Sequence, residues 1–186
     1  MSTYPLPDIS LEGRVVIMTG GDTGLGRSMA LALAECGATL VIASVNEEGC
    51  ERVAGEINEA HGEGRALAVV TDITKLGQCR RLIGSTLSEY DRLDVLFNNA
   101  RRLMRGPGLP PAGNSLPIYQ TDPEIYEQTI MVNVVGTFYM ARAAIEHFRE
   151  SRSGKIINIS TSRRNFSGRH NSPYGVTKAA VESQTL

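Results

Sequence analysis

Apolar runs without polar interruption recur along this chain, and segments of helical period separate them. RVVIMTG (Arg14–Gly20), ATLVIAS (Ala38–Ser44), ALAVVTD (Ala66–Asp72), DVLFNNA (Asp94–Ala100) and KIINIS (Lys155–Ser160) read as five buried strands. LGRSMALALAECG (Leu25–Gly37) reads as a helix closed by its last glycine. Asn46 is placed to cap a helix towards His61, with Glu47 and Glu48 in its first turn, and Thr74 to cap one to about Tyr90. Asp122-Pro123-Glu124 has the form of a cap followed by proline at the first helical position. The helix that follows runs to about Glu150 with a break near Met131, and a last helix begins near Ser172.

Fully apolar strands alternating with helices predict an α/β fold, a parallel sheet covered on both faces. Right-handed crossovers make it doubly wound, as in a Rossmann-type domain. The 186 residues suffice for one such domain. The stretch from Arg101 to Thr121 breaks the rhythm. It is rich in proline and glycine, has no period, and reads as a long functional loop.

Charge narrows the choice of partners. A net charge of −1 gives no electrostatic case for nucleic acid or an anionic membrane, and no apolar run approaches a membrane span. The start, MSTYPLPDIS, lacks the pattern of a signal peptide. Cys36, Cys50 and Cys79 form no CxxC pair and read as reduced thiols, which points to a cytoplasmic protein. No metal-ligand cluster is visible, and His61 and His147 read as surface positions.

Two stretches carry candidate chemistry. After the first strand comes TGGDTGLG, Thr19 to Gly26, a glycine cluster where a strand turns into a helix. Glycines allow close backbone approach to a pyrophosphate, and a helix N-terminus offers unpaired N–H groups and the positive end of its dipole. Near the end, YGVTK sets Tyr174 and Lys178 four positions apart, on one face of a helix. A free phenol ionises near pH ~10, and a cation held beside it favours phenolate. A tyrosine so placed can donate or accept a proton at neutral pH.

TGxxxGxG, Asp72 after the third strand, NNA (Asn98–Ala100), Asn133 in NVVG and YGVTK follow one another in this order. Together they resemble the classical short-chain dehydrogenase/reductase family over the chain from about residue 11 to its end. The resemblance implies strand order 3-2-1-4-5 and an NAD(P)-dependent oxidoreductase that interconverts a secondary alcohol and a ketone. It implies a cofactor site of Thr19, Gly20, Asp22, Thr23, Gly24, Leu25, Gly26, Ser44, Asp72, Ile73, Asn99 and Ala100, joined by Tyr174 and Lys178. It implies catalysis by Tyr174 as proton donor or acceptor and by Lys178, which also binds the nicotinamide ribose. Asn133 would hold a water in the proton relay. Thr161 stands where the family carries a serine that polarises the substrate oxygen, and it has the same hydroxyl to offer; Ser162 is the alternative. Assembly into homo-oligomers through the long helix and the helix of Tyr174 is a further implication.

The departures matter as much. Ser44 stands where NAD-dependent relatives carry an acid. Neither Val45 nor Thr23 is the basic residue of NADP-dependent ones, and Asp22 would repel a 2′-phosphate if it faces one. The balance leans to NAD. Arg101 replaces a glycine beside the expected nicotinamide position, so it must swing outward or remodel the site. Arg102, Arg105, Arg163, Arg164, Arg169 and His170 form either a rim selective for a substrate carboxylate or phosphate, or ordinary solvated charge, the reading favoured here. Relatives continue past the helix of Lys178 with a sixth strand, a substrate-covering segment and a seventh strand. The resemblance therefore implies a domain incomplete at its C-terminal end, with an unpaired edge on the fifth strand. A non-catalytic dinucleotide-binding module, or an inactive fragment of such an enzyme, is the alternative reading.

Overall fold

Val15–Thr19 form strand β1, and every one of its residues is buried. A strand covered on both faces has no polar side to present, so its apolar residues run on uninterrupted. The computed structural model describes residues 9–102, 117–162 and 172–185. Within them β1, β2 (Thr39–Ser44), β3 (Ala66–Val70), β4 (Val95–Asn98) and β5 (Lys155–Asn158) form one parallel sheet in the order β3-β2-β1-β4-β5. The expected order is the observed one. Among the described residues, β5 pairs only with β4 and forms one edge of the sheet.

Period two divides β1 between two cores. Val16 and Met18, with Leu40 and Ile42 of β2, pack against Ala30 and Ala34 of α1 (Gly24–Glu35) and Cys50, Val53 and Ile57 of α2 (Glu47–His61). Val15 and Ile17, with Val41 and Leu96, pack on the other face. There they meet Cys79 and Leu82 of α3 (Leu76–Tyr90) and Met140, Ala144 and Phe148 of α5 (Thr137–Ser151). Burial pushes the thiols of Cys50 and Cys79 up to about 11, so both are inert core groups.

Several local expectations hold. The Asn46 side chain accepts from the N–H of Gly49 at the start of α2. Asp122 accepts from Glu124 and Ile125 ahead of α4 (Pro123–Ile130), with Pro123 in its first turn. Gly37, at φ +95°, lets Ala38 N–H reach back to Leu33 and closes α1. One expectation fails. Thr74 does not cap α3, because its N–H and its hydroxyl both donate to Asp72 Oδ1, at 2.9 and 2.7 Å. The carboxylate two residues earlier is the stronger acceptor and draws Thr74 into a turn. His61 is exposed as expected, but His147 is half-buried beside Phe148.

The break expected near Met131 is a π-helical segment, Met131–Gly136, between α4 and α5. At its end Gly136 passes so close to Ile73 that an added Cβ would lie 2.7 Å from Cδ1. The last helix, α6 (Tyr174–Gln184), packs against this π segment. Among the described residues no helix is long and apolar enough to cross a membrane.

Candidate active site

Because all five strands are parallel, the segments after their carboxyl ends gather along one edge of the sheet. The glycine turn is the first of them. Thr19 ties it to the end of β4: its hydroxyl donates to Phe97 O and accepts from the N–H groups of Asn99 and Ala100. The Asn99 amide then donates to the carbonyls of Thr19 and Gly20. Gly20 adopts φ +63°, and a Cβ there would lie 2.8 Å from Ala100 Cα. At Gly26 a Cβ would lie 2.0 Å from Gly20 O, so this glycine lets α1 press onto the turn. Gly24, at φ +52°, borders open space. A cleft of about 360 Å³ lies over the turn, lined by Gly20, Thr23, Gly24, Leu25, Gly26 and Arg101 among others. The Thr23 side chain does not cap α1, and the first turn of α1 holds no acid.

A second cleft, of about 210 Å³, lies over β2 and β3 and brings Ser44, Asp72 and Ile73 together beside Ala100 and Arg101. Asp22 is buried and turned to α2, where its Oδ2 accepts from the Asn46 amide at 3.1 Å. Arg27 and Arg52 are both paired with Glu56.

Tyr174 and Lys178 project from α6 side by side, Lys178 Nζ lying 5.8 Å from the tyrosine ring centre. Lys178 is 3% exposed and donates to Ile159 O at 2.6 Å. Burial, reinforced by the nearby Arg101 charge, pulls its ammonium down to about 8. Asn133, buried in the π segment, accepts from Arg102 N–H at 2.7 Å and donates to Arg102 O and to the Thr177 hydroxyl, both at 3.2 Å. Thr177 in turn donates to Tyr174 O. Asn133 thus holds the loop after β4 against α6, while its own carbonyl accepts from Thr137.

Thr161 and Ser162 lie beyond the end of β5, Thr161 half-buried and Ser162 exposed; the hydroxyl of Ser160 donates to Glu182. Arg105, Arg163, Arg164, Arg169 and His170 fall outside the described residues. The sequence reading missed the bridging hydroxyl of Thr177, although its place between Tyr174 and Lys178 puts it on the same helix. It also missed the Asn99 amide as the clasp of the glycine turn. Arg101 was expected to swing outward or remodel the site. It is exposed, yet its guanidinium donates to the Tyr174 hydroxyl at 3.5 Å.

Residues 14–186 match the short chain dehydrogenase family. The chain belongs to that family. A short chain dehydrogenase/reductase, dpfgG, of Gibberella zeae is 32% identical over 154 residues, 82% of this chain and 53% of its own length. The (2S)-[(R)-hydroxy(phenyl)methyl]succinyl-CoA dehydrogenase subunit BbsD of Thauera aromatica is 33% identical over 95% of this chain and 66% of its own. Among solved structures, 3-ketoacyl-(acyl-carrier-protein) reductase from Brucella melitensis complexed with NADH superposes with a TM-score of 0.82. It is 32% identical and the match covers 95% of this chain and 69% of that one. This short chain dehydrogenase thus spans between about half and two thirds of these relatives.

Proposed function

We propose that the chain forms a single NAD(P)-binding domain and that its site interconverts a secondary alcohol and a ketone. The observation that carries this reading is the pairing of Tyr174 with the buried Lys178, joined to the glycine cleft through Arg101, which lines it and reaches the Tyr174 hydroxyl. A dinucleotide fits the residues present. The uncapped start of α1 offers N–H groups to a pyrophosphate, Gly24 leaves room for it, and the second cleft offers Ser44, Asp72 and Ile73 to the adenosine end. Thr19, Gly20, Asp22, Thr23, Leu25, Gly26, Asn99 and Ala100 form or support this cradle. When bound, the nicotinamide supplies the hydride acceptor or donor.

Tyr174 gives a proton to the substrate oxygen on reduction and takes one on oxidation. Lys178 holds positive charge beside the phenol, and Thr161 donates a hydrogen bond to the same substrate oxygen, with Ser162 as the alternative donor. Asn133 keeps the loop after β4 and α6 in register and so positions Tyr174. NAD is the preferred cofactor. The charged groups around Ser44 include Asp22, Glu47 and Glu48, while Arg27 and Arg52 are committed to Glu56. Arg101 and Arg102 line the same cleft, but the position after Ser44 is Val45 and the turn position is Thr23, so the basic residues that would hold a 2′-phosphate at those two places are missing, and Asp22 would repel one.

The substrate is a small alcohol or ketone, the setting cytoplasmic, and the assembly a homo-oligomer. The test is thermal unfolding of the chain with and without saturating NAD⁺, NADH, NADP⁺ and NADPH, followed by an alcohol and ketone panel. A cooperative melt raised by one nucleotide pair, and turnover in the panel, are expected. A shift without turnover would favour a non-catalytic dinucleotide-binding module, and no shift would remove the cofactor site.

A further inference from the structure

Arg101 lines both clefts and also reaches Tyr174. Its guanidinium donates to the Tyr174 hydroxyl at 3.5 Å and borders the glycine cleft on one side and the Ser44–Asp72 cleft on the other. Among the described residues it forms no ion pair, and neither does its neighbour Arg102. Lys178, also without a carboxylate partner among the described residues, adds a second positive charge near Tyr174, over its ring. The nearest acid in the lining is Asp72, whose Oδ1 already accepts twice from Thr74. Burial is the larger cause of the lowered pKa of Lys178, and the nearby Arg101 charge adds to it. An anion held by Arg101 would offset that second contribution.

We propose that Arg101 binds a carboxylate on the substrate beside the reacting carbon, so that the site takes 2- or 3-oxo acids and the corresponding hydroxy acids. This rests on the reading of Tyr174 as the group that bonds the reacting oxygen. The tyrosine hydroxyl and Arg101 Nη1 are donors close enough to be met by two oxygens on adjacent or next-adjacent carbons of one small molecule. One is the carbonyl or hydroxyl oxygen that undergoes the reaction, the other a carboxylate oxygen. Guanidinium is suited to the second role because its planar fork can hold both carboxylate oxygens. Since the same guanidinium borders the glycine cleft, a dinucleotide phosphate is the other possible source of the oxyanion, and the experiment must separate the two.

The chain has three lysines, Lys75, Lys155 and Lys178. Labelling lysine with ¹³C at Cε gives a resonance for Lys178 that reads binding without turnover. Lactate and 3-hydroxybutyrate are titrated, each against its methyl ester, into the wild type, Arg101→Gln and Arg101→Lys; ADP is titrated as the phosphate arm. In the wild type at least one acid shifts the Lys178 resonance saturably, about tenfold tighter than its ester. Arg101→Gln abolishes that preference and Arg101→Lys keeps part of it. No acid binding in the wild type, or an acid preference that survives in Arg101→Gln, overturns the proposal. So does a loss of ADP affinity in Arg101→Gln that leaves the acids unaffected, since Arg101 would then serve the nucleotide. The underlying redox reading fails separately. Acid-selective binding without turnover with any dinucleotide removes that reading and keeps the carboxylate site, whereas equal turnover of acid and ester does the reverse.

Discussion

Asn99 clasps the glycine turn to the end of β4: its buried side-chain amide donates to Thr19 O and Gly20 O, at 3.0 Å each. Both carbonyls have this one amide in common. Replacing Asn99 by Ala leaves them without this donor, the Thr19 carbonyl at a buried position and the Gly20 carbonyl beside the cleft. The cost is on the order of 1–3 kcal/mol. Asn99→Asp should cost more, because a carboxylate would face two carbonyl oxygens. Urea unfolding of both variants checks this, and a loss below about 0.5 kcal/mol for Asn99→Ala would show that water replaces the clasp.

Gly24 and Gly26 stand two residues apart and serve different needs. Gly24 has φ +52° and open space around it, so Gly24→Ala strains the backbone without a clash and costs about 1–2 kcal/mol. Gly26 has an ordinary helical backbone, but a Cβ there would lie 2.0 Å from Gly20 O and 2.5 Å from Asn99 Nδ2. Gly26→Ala must therefore push α1 off the turn and break the clasp, and it should lose both stability and nucleotide affinity. Thermal melts with and without the preferred nucleotide separate the two variants. Gly24→Ala keeps a reduced nucleotide-dependent shift, because its methyl group takes up room in the cleft, and Gly26→Ala loses the shift.

The sheet was legible because each strand carries an apolar run, buried throughout in β1 and nearly so in β2, and still apolar in the half-buried edge strands β3 and β5. The caps at Asn46 and Asp122 were legible because each acts on backbone within three residues of itself. Thr74 was misread since a competing acceptor, Asp72, lies just as near. What decides the position of Arg101 is neither local nor periodic. The loop after β4 is held by Asn133, thirty-one residues on, through the Arg102 backbone. Asn133 is itself set by a π segment whose passage depends on the missing side chain of Gly136 against Ile73. No window of sequence contains these partners together. The glycine turn was legible as a cradle, but its clasp from Asn99 joins segments eighty residues apart.

Met131, Phe138 and Ile145 lie at intervals of seven along the π segment and α5, and all are exposed, Phe138 by 50%. A helix that leaves such a row uncovered can bury it in a second copy of the chain. If the homo-oligomer forms through this face, Phe138→Asp weakens self-association by about tenfold or more while leaving the melting temperature of the dilute protein nearly unchanged. Sedimentation velocity over a range of concentrations reads it. Identical distributions for the wild type and Phe138→Asp would place the contact elsewhere or show the chain to be a monomer.

The burial of Lys178 leaves a signature in the pH dependence of stability. In the folded chain its ammonium is lowered to about 8, first by burial and then by Arg101, against an ordinary value of 10.5. Below pH 8 the lysine is charged in both states and the folded protein carries the full burial penalty. Between pH 8 and 10.5 the unfolded chain binds more protons, so this residue's contribution to stability rises with pH. The whole span corresponds to about 3 kcal/mol at most. Lys178→Met lacks it. The variant also strands Ile159 O, a loss that does not change with pH. Urea unfolding of both proteins at pH 7, 9 and 10.5 should therefore show the wild type gaining on Lys178→Met as pH rises, with ionisation of the shared tyrosines cancelling in the difference. Adding Arg101→Gln shrinks the gain, since it removes the second cause of the shift and leaves the first. A constant difference between wild type and Lys178→Met across this range would mean that the ammonium is solvated in the folded state, and would take away the electrostatic basis for its pairing with Tyr174.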